Sequence, residues 1–300
     1  MIRSCKILLV TAMAWQCCAA TLYADKLWLA PPQVSENFGS GNRDLSWYAR
    51  PIQKIDAEIL RWDRDVITVK IAGGNDQQSY RADRVVHVHP EPVAAPEQTW
   101  LGAMVANDDT KIIRSLSPAI QSRPPTWRQQ WYTVWTTHSV AKTGRMSIVY
   151  NLVAQLDNQP LPPVMIARLP VAWSGVPLSS DTSPDDHAAL NHSSPAVRLV
   201  AASRLMRTDP GEADETMASL SNSPTRPSIA SVATILKQIH GSGANVGSHW
   251  RDHLADIRRM PIVLQDGPLA CLLSQCRRHG VANAVEQLTL QQRYTSILRQ

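Results

Sequence analysis

Between Ile55 and His89 apolar and polar positions alternate in short runs, and beyond Pro96 the apolar positions recur at three- and four-residue intervals. The first rhythm predicts strands and the second predicts helices. A run from Ile55 to Trp62 ends at Asp63-Arg64-Asp65, and the β-branched stretch Val66 to Ile71 follows. Gly73-Gly74-Asn75 is a hairpin turn signal leading into Gln77 to Arg81. After a tight corner at Ala82-Asp83-Arg84, Val85 to His89 reads as a further strand that Pro90 stops. Residues 25–50 carry few periodic cues: Trp28, Trp47, Pro31-Pro32 and a Gly39-Ser40-Gly41 break.

Pro90 to Pro96 marks a boundary, after which helices are predicted in series. Asp108 or Asp109 caps one reaching about Gln121, and Pro125 or Thr126 opens another ending at Lys142. Gly144 breaks the pattern, and Met146 to Leu156 resumes it with Ile148, Val149, Leu152, Val153 and Leu156 on one face. The stretch from Ser174 to Pro195, rich in Ser, Asp, Pro and His, reads as a long surface loop or a linker. Pro195 starts a helix that Asp209-Pro210-Gly211 interrupts, and Ala213 to Leu220 follows. Ser228 to His240 is the next helix, Ser248 is expected to cap Trp250 to Met260, and Leu269 to His279 precedes a last helix near Arg299.

The first 24 residues read as an export signal. Arg3 and Lys6 make the positive start, Ile7 to Trp15 the apolar core, and Ala20 or Ala24 a small residue for cleavage. No later stretch approaches the roughly 20 apolar residues of a membrane helix. A periplasmic or secreted protein is therefore expected. Its plan is a signal peptide over 1–24, a β module over 25–92 and helices over 93–300, with the polar segment near 174–195 inside the last. Neither Cys17 nor Cys18 follows the residues that a lipid-attachment site requires.

Formal net charge is +5, falling to +3 once Arg3 and Lys6 leave, and the charges are scattered. Without a basic run, nucleic acid is not an expected partner. The cysteines left after the signal are Cys271 and Cys276. On one helix their Cα atoms would stand about 8.6 Å apart, beyond the ~7 Å reach of a disulfide. Two buried free thiols are expected, with a strained or intermolecular bridge as the alternative.

The segments AEILRWDRDVITVKIAGG and YRADRVVHVHP resemble, in their order of strand, charged turn, strand, loop and 3₁₀ corner, a Src-homology-like small β-barrel over about residues 43–90. That resemblance implies a compact barrel and no activity. YTVWTTHSVAKTGRMSIVYNLVAQL and LACLLSQCRRHGVANAVEQLTLQQR resemble tetratricopeptide-type repeats, with Gly144 and Gly280 at the turns and a degenerate third copy around Gly211. The three glycines lie 67 and 69 residues apart, close to two ~34-residue repeats. Each is expected to supply the positive φ of a helix C-terminal cap. The fold class implied is α+β and multidomain: a small barrel followed by an all-α, tetratricopeptide-like solenoid.

His249, His253 and Asp256 lie at i, i+4 and i+7 on one helical face, and two imidazoles with a carboxylate could ligate zinc. No glutamate stands where a His-Glu-x-x-His site keeps its general base, so a wet polar face is the simpler account. Trp127, Trp131 and Trp135 form an i+4 stripe that is expected to pack, and would stack on sugars or line a peptide groove if exposed. His87 and His89 share one side of a strand and are read as surface or partly satisfied. Asp181, Asp185, Asp186, His187 and His192 cluster in the polar segment and are read as solvated. Nucleophile elbows, phosphate loops and paired zinc-finger cysteines are absent.

No catalytic residue, metal site or cofactor is therefore expected. The leading expectation is a non-catalytic exported scaffold or adaptor for a protein or peptide partner. Cell-envelope polymer binding through the β module is one alternative, and a metal-dependent hydrolase using the His249/His253 helix is the other.

Overall fold

The computed structural model describes residues 24–31, 52–92, 94–173 and 183–297. The expected export signal up to Tyr23, the break at Gly39 to Gly41, Trp47 and Asp181 lie outside these residues.

Five antiparallel strands come first: β1 (Asp25–Leu29), β2 (Gln53–Trp62), β3 (Val66–Ile71), β4 (Gln77–Arg81) and β5 (Val85–His89). Their order across the sheet is β4-β3-β2-β1-β5, and a 3₁₀ turn over Ala82–Arg84 carries the chain from β4 to β5. The last four strands follow the alternation, but β1 falls where few cues were legible. It holds only two inward apolar side chains, Leu27 and Leu29, and its place is set by pairing with both β2 and β5.

The expected barrel is not closed. β4 and β5 are the two ends of an open sheet. β5 instead packs against a short helix over Pro163–Ile166 and the 3₁₀ turn Ile262–Leu264. Packing against helices satisfies the apolar edge that closure would otherwise have served.

The helices are α1 (Ala95–Val105), α2 (Asp109–Gln121), α3 (Thr126–Lys142), α4 (Met146–Leu156), α5 (Pro163–Ile166), α6 (Pro184–Leu190), α7 (Pro195–Leu205), α8 (Pro210–Ser221), α9 (Pro227–Ser242), α10 (Val246–Arg259), α11 (Asp266–Arg278) and α12 (Ala282–Ile297). Consecutive helices from α1 to α4 and from α6 to α12 pack on one another, while α5 leaves the series to meet the sheet. Asp108 caps α2 by accepting from the Lys111 amide at 2.9 Å. Pro163, Pro184, Pro195, Pro210 and Pro227 each stand in a first turn, where a missing N–H costs nothing.

Two local expectations change. Ser248 is not a cap: α10 begins at Val246, two residues earlier. Gly211 lies inside the first turn of α8 without a positive φ, because Asp209 caps that helix through the Glu212 amide. Gly144 and Gly280 do take positive φ, 76° and 69°, at the turns between α3 and α4 and between α11 and α12.

One hydrophobic core joins the sheet to the helices. Trp127 and Trp131 are buried, and both rings meet Trp62 of β2, with centroids 6.0 and 6.2 Å apart. The tryptophan stripe is thus the seam on which the sheet sits. A buried ion-pair network stands beside it. The Arg128 guanidinium on α3 donates from Nη2 to Asp25 at 2.7 Å and from Nη1 to Glu97 at 3.1 Å and the Glu91 carbonyl at 2.7 Å. Tyr132 donates its hydroxyl to Glu97 at 2.6 Å. Strand β1, helix α1 and helix α3 are tied by these contacts.

Candidate functional site

A concave, partly polar surface lies between α8, α9 and α10. Helix α9 buries Ile229, Val232, Ala233, Leu236 and Ile239 on one face. The opposite face, at the same helical spacing, sets Thr234, Lys237, Gln238 and Ser242 in a row. Asn222 at the end of α8, Asn245, and His249 and His253 on α10 also line it. Gly243, at φ 47°, lets the chain leave α9 and turn into α10.

The groove has a volume of about 630 Å³. Among the described residues that line it there is one lysine, two histidines and no carboxylate. His249 is exposed, with Nδ1 3.9 Å from an Asp252 carboxylate oxygen. His253 is buried and shares a 2.7 Å hydrogen bond between Nε2 and the Ser242 hydroxyl. Burial first, and then the neighbouring His249, hold its pKa below the ordinary imidazole value. The surface offers amide, hydroxyl and cationic groups; the Ser242 hydroxyl that meets His253 donates its own proton to the Gln238 carbonyl at 2.8 Å, so the imidazole is not placed to take it.

Of the residues singled out in the sequence, His249 and His253 meet here. Asp256 instead pairs with Arg259 at 2.8 Å. The three do not converge: among the described residues, the one group of three metal-type ligand atoms within 4.8 Å of one another is His187, Asp209 and Glu212. His87 sits between Trp28 and Trp131, with ring centroids 4.9 and 6.5 Å away. Burial, together with Arg168 and His89, lowers its pKa to about 4. His89 stands on the same strand, half-buried. Trp135 continues the stripe, 6.1 Å from Trp131, under the Arg168 guanidinium at 4.5 Å.

The polar segment holds a difference from expectation. Ser183 and Asp186 form a capping box that starts α6. Asp186 is fully buried, not solvated: Oδ1 accepts from the Tyr150 hydroxyl and from Arg204 Nε at 3.1 Å, and Oδ2 accepts from the Ser183 amide at 3.0 Å. Asp185 is exposed, and His192 Nδ1 accepts from the Ser194 amide at 2.9 Å. Cys271 and Cys276 are free and buried on α11, and burial pushes the Cys271 thiol up to about 12.

No motif or spacing in the sequence marks the groove's Asn222, Lys237 and Asn245, or Arg128 and Arg204. The polar face of α9 was legible as the complement of its apolar stripe, but only packing shows which neighbours border it. Comparison with protein-family models, curated proteins and solved structures finds no match. No helix among the described residues is long and apolar enough to cross a membrane.

Proposed function

We propose that this chain is a non-catalytic exported scaffold or adaptor that holds a protein or peptide partner in the groove between α8, α9 and α10. One observation carries the reading. Three helices place amides, hydroxyls and a lysine around one concave surface of about 630 Å³, within the ~300–1,000 Å³ range of pockets that enclose a drug-sized molecule, which is room for a short stretch of a peptide. Such groups serve backbone carbonyls and acidic side chains of an extended segment.

The helical part is read as a tetratricopeptide-like solenoid, supported by sequential helix packing and by positive φ at Gly144 and Gly280. Helix α5, which leaves the series for the sheet, departs from a strict repeat. The sheet is read as an open relative of the Src-homology-like module, supported by its strand order and the 3₁₀ turn before β5. Export rests on Met1 to Ala24.

The two other readings gain less. Polymer binding needs exposed rings, and Trp127 and Trp131 are buried. A hydrolase on α10 needs a third ligand beside His249 and His253, and Asp256 is turned to Arg259.

The test is a displayed random-peptide library screened against the full chain. Recovered peptides should bind Lys237→Glu at least tenfold more weakly than the unaltered protein. Equal binding to both proteins, or no enrichment, overturns the proposal.

A further inference from the structure

The geometry points to a second site, outside the groove: a divalent-metal clamp of His187, Asp209 and Glu212 that would join α6 to the start of α8 and take a borderline ion of the zinc type. Each residue offers one ligand atom, and the three atoms lie within 4.8 Å of one another. His187 Nδ1 already stands 3.1 Å from Glu212 Oε2, near the ~3–3.5 Å that separates neighbouring ligands about 2.1 Å from one ion.

Donor chemistry narrows the ion. One imidazole nitrogen and two carboxylate oxygens suit zinc and its first-row neighbours, whereas calcium and magnesium prefer oxygen throughout. Two carboxylates would balance the charge of a divalent ion against a neutral imidazole. The nearby start of α8 opposes a cation, which two formal negative charges at ligand distance outweigh. His187 and Glu212 are exposed and Asp209 is half-buried, so water can complete the coordination.

The ligands are held by structure independent of any ion. His187 follows Asp186, which is fully buried and tied to Tyr150, Arg204 and the Ser183 amide. The backbone of α6 is therefore fixed at the position that presents the imidazole. Asp209 is oriented because its Oδ1 accepts from the Glu212 amide at 3.5 Å. The two segments come from either side of α7 and meet at one point, so an ion there would cross-link them.

A rival account is a surface His–Glu pair that holds no metal. Equilibrium dialysis of the full chain against zinc, with metal analysis of the protein, separates the two. One tightly held zinc per chain is expected. His187→Ala and Glu212→Gln should each weaken it by about tenfold or more. Asp209→Asn preserves a helix-capping side chain and should also weaken it, with an unchanged melting temperature in the absence of zinc. His249→Ala should leave binding unchanged. Absence of zinc from the unaltered protein, or zinc that survives His187→Ala and is lost in His249→Ala, would overturn the assignment.

Discussion

Replacing Arg128 by methionine should cost this fold about 3–5 kcal/mol. The guanidinium donates to Asp25, Glu97 and the Glu91 carbonyl, and the two acids have side chains only 3% exposed. Methionine fills much of the same volume but leaves both carboxylates without their cation. Each charge-assisted hydrogen bond is worth about 1.5–3 kcal/mol, so simple addition would exceed the range above. Protonation and shifting of the stranded acids would recover part of that loss. Asp25 already has its pKa raised by burial, against the pull of Arg128, and would take up a proton readily in the variant. Urea unfolding followed by tryptophan fluorescence measures the loss, because Trp127 and Trp131 report on the adjoining seam. The double variant Asp25→Asn with Arg128→Met should be less damaging than the two single losses summed, by more than about 1 kcal/mol. A single-variant loss below about 1 kcal/mol, or strict additivity, would refute the claim that this network ties the sheet to the helices.

Two further expectations follow from buried geometry. His87 has a folded pKa of about 4, below its ordinary 6.5, so the folded state binds fewer protons between those values. Stability from the neutral ring is complete above about pH 6.5 and is lost as pH falls towards 4, by at most about 3 kcal/mol. His87→Leu should reduce the acid loss across that window, and an unchanged pH profile of the urea midpoint would count against it. Gly267→Ala places a Cβ 2.2 Å from Cε2 of the Trp173 indole, so the ring must move. A loss of about 1–3 kcal/mol is expected, and an unaltered melting temperature would show that the ring yields freely.

Much of the secondary structure was legible because apolar periodicity and proline placement agree. The limits of α3 and α4 fall at Thr126–Lys142 and Met146–Leu156, as the apolar stripes and Gly144 predict. Failures came where a local signal had two meanings. Gly211 follows a proline near a helix end and resembles a cap, yet the Asp209 side chain makes it part of the next helix. Asp186 sits in a run of polar residues, and only Tyr150 and Arg204, 36 and 18 residues away, explain its burial. The groove was half legible: His249 and His253 announce one wall, while Asn222 and Lys237 lie on helices whose adjacency no spacing reveals.

From its own order of residues, the chain determines strands before Pro90, helices after Pro96, and tryptophans suited to a packed seam, since these follow from local periodicity and side-chain size. Tertiary structure alone decided that β1 enters the sheet between β2 and β5 and that the sheet stays open. It also decided that Arg128 and Arg204 are buried against acids, and that His187 meets Asp209 and Glu212. Those outcomes depend on contacts between distant segments, which form only when a shared core brings their faces together.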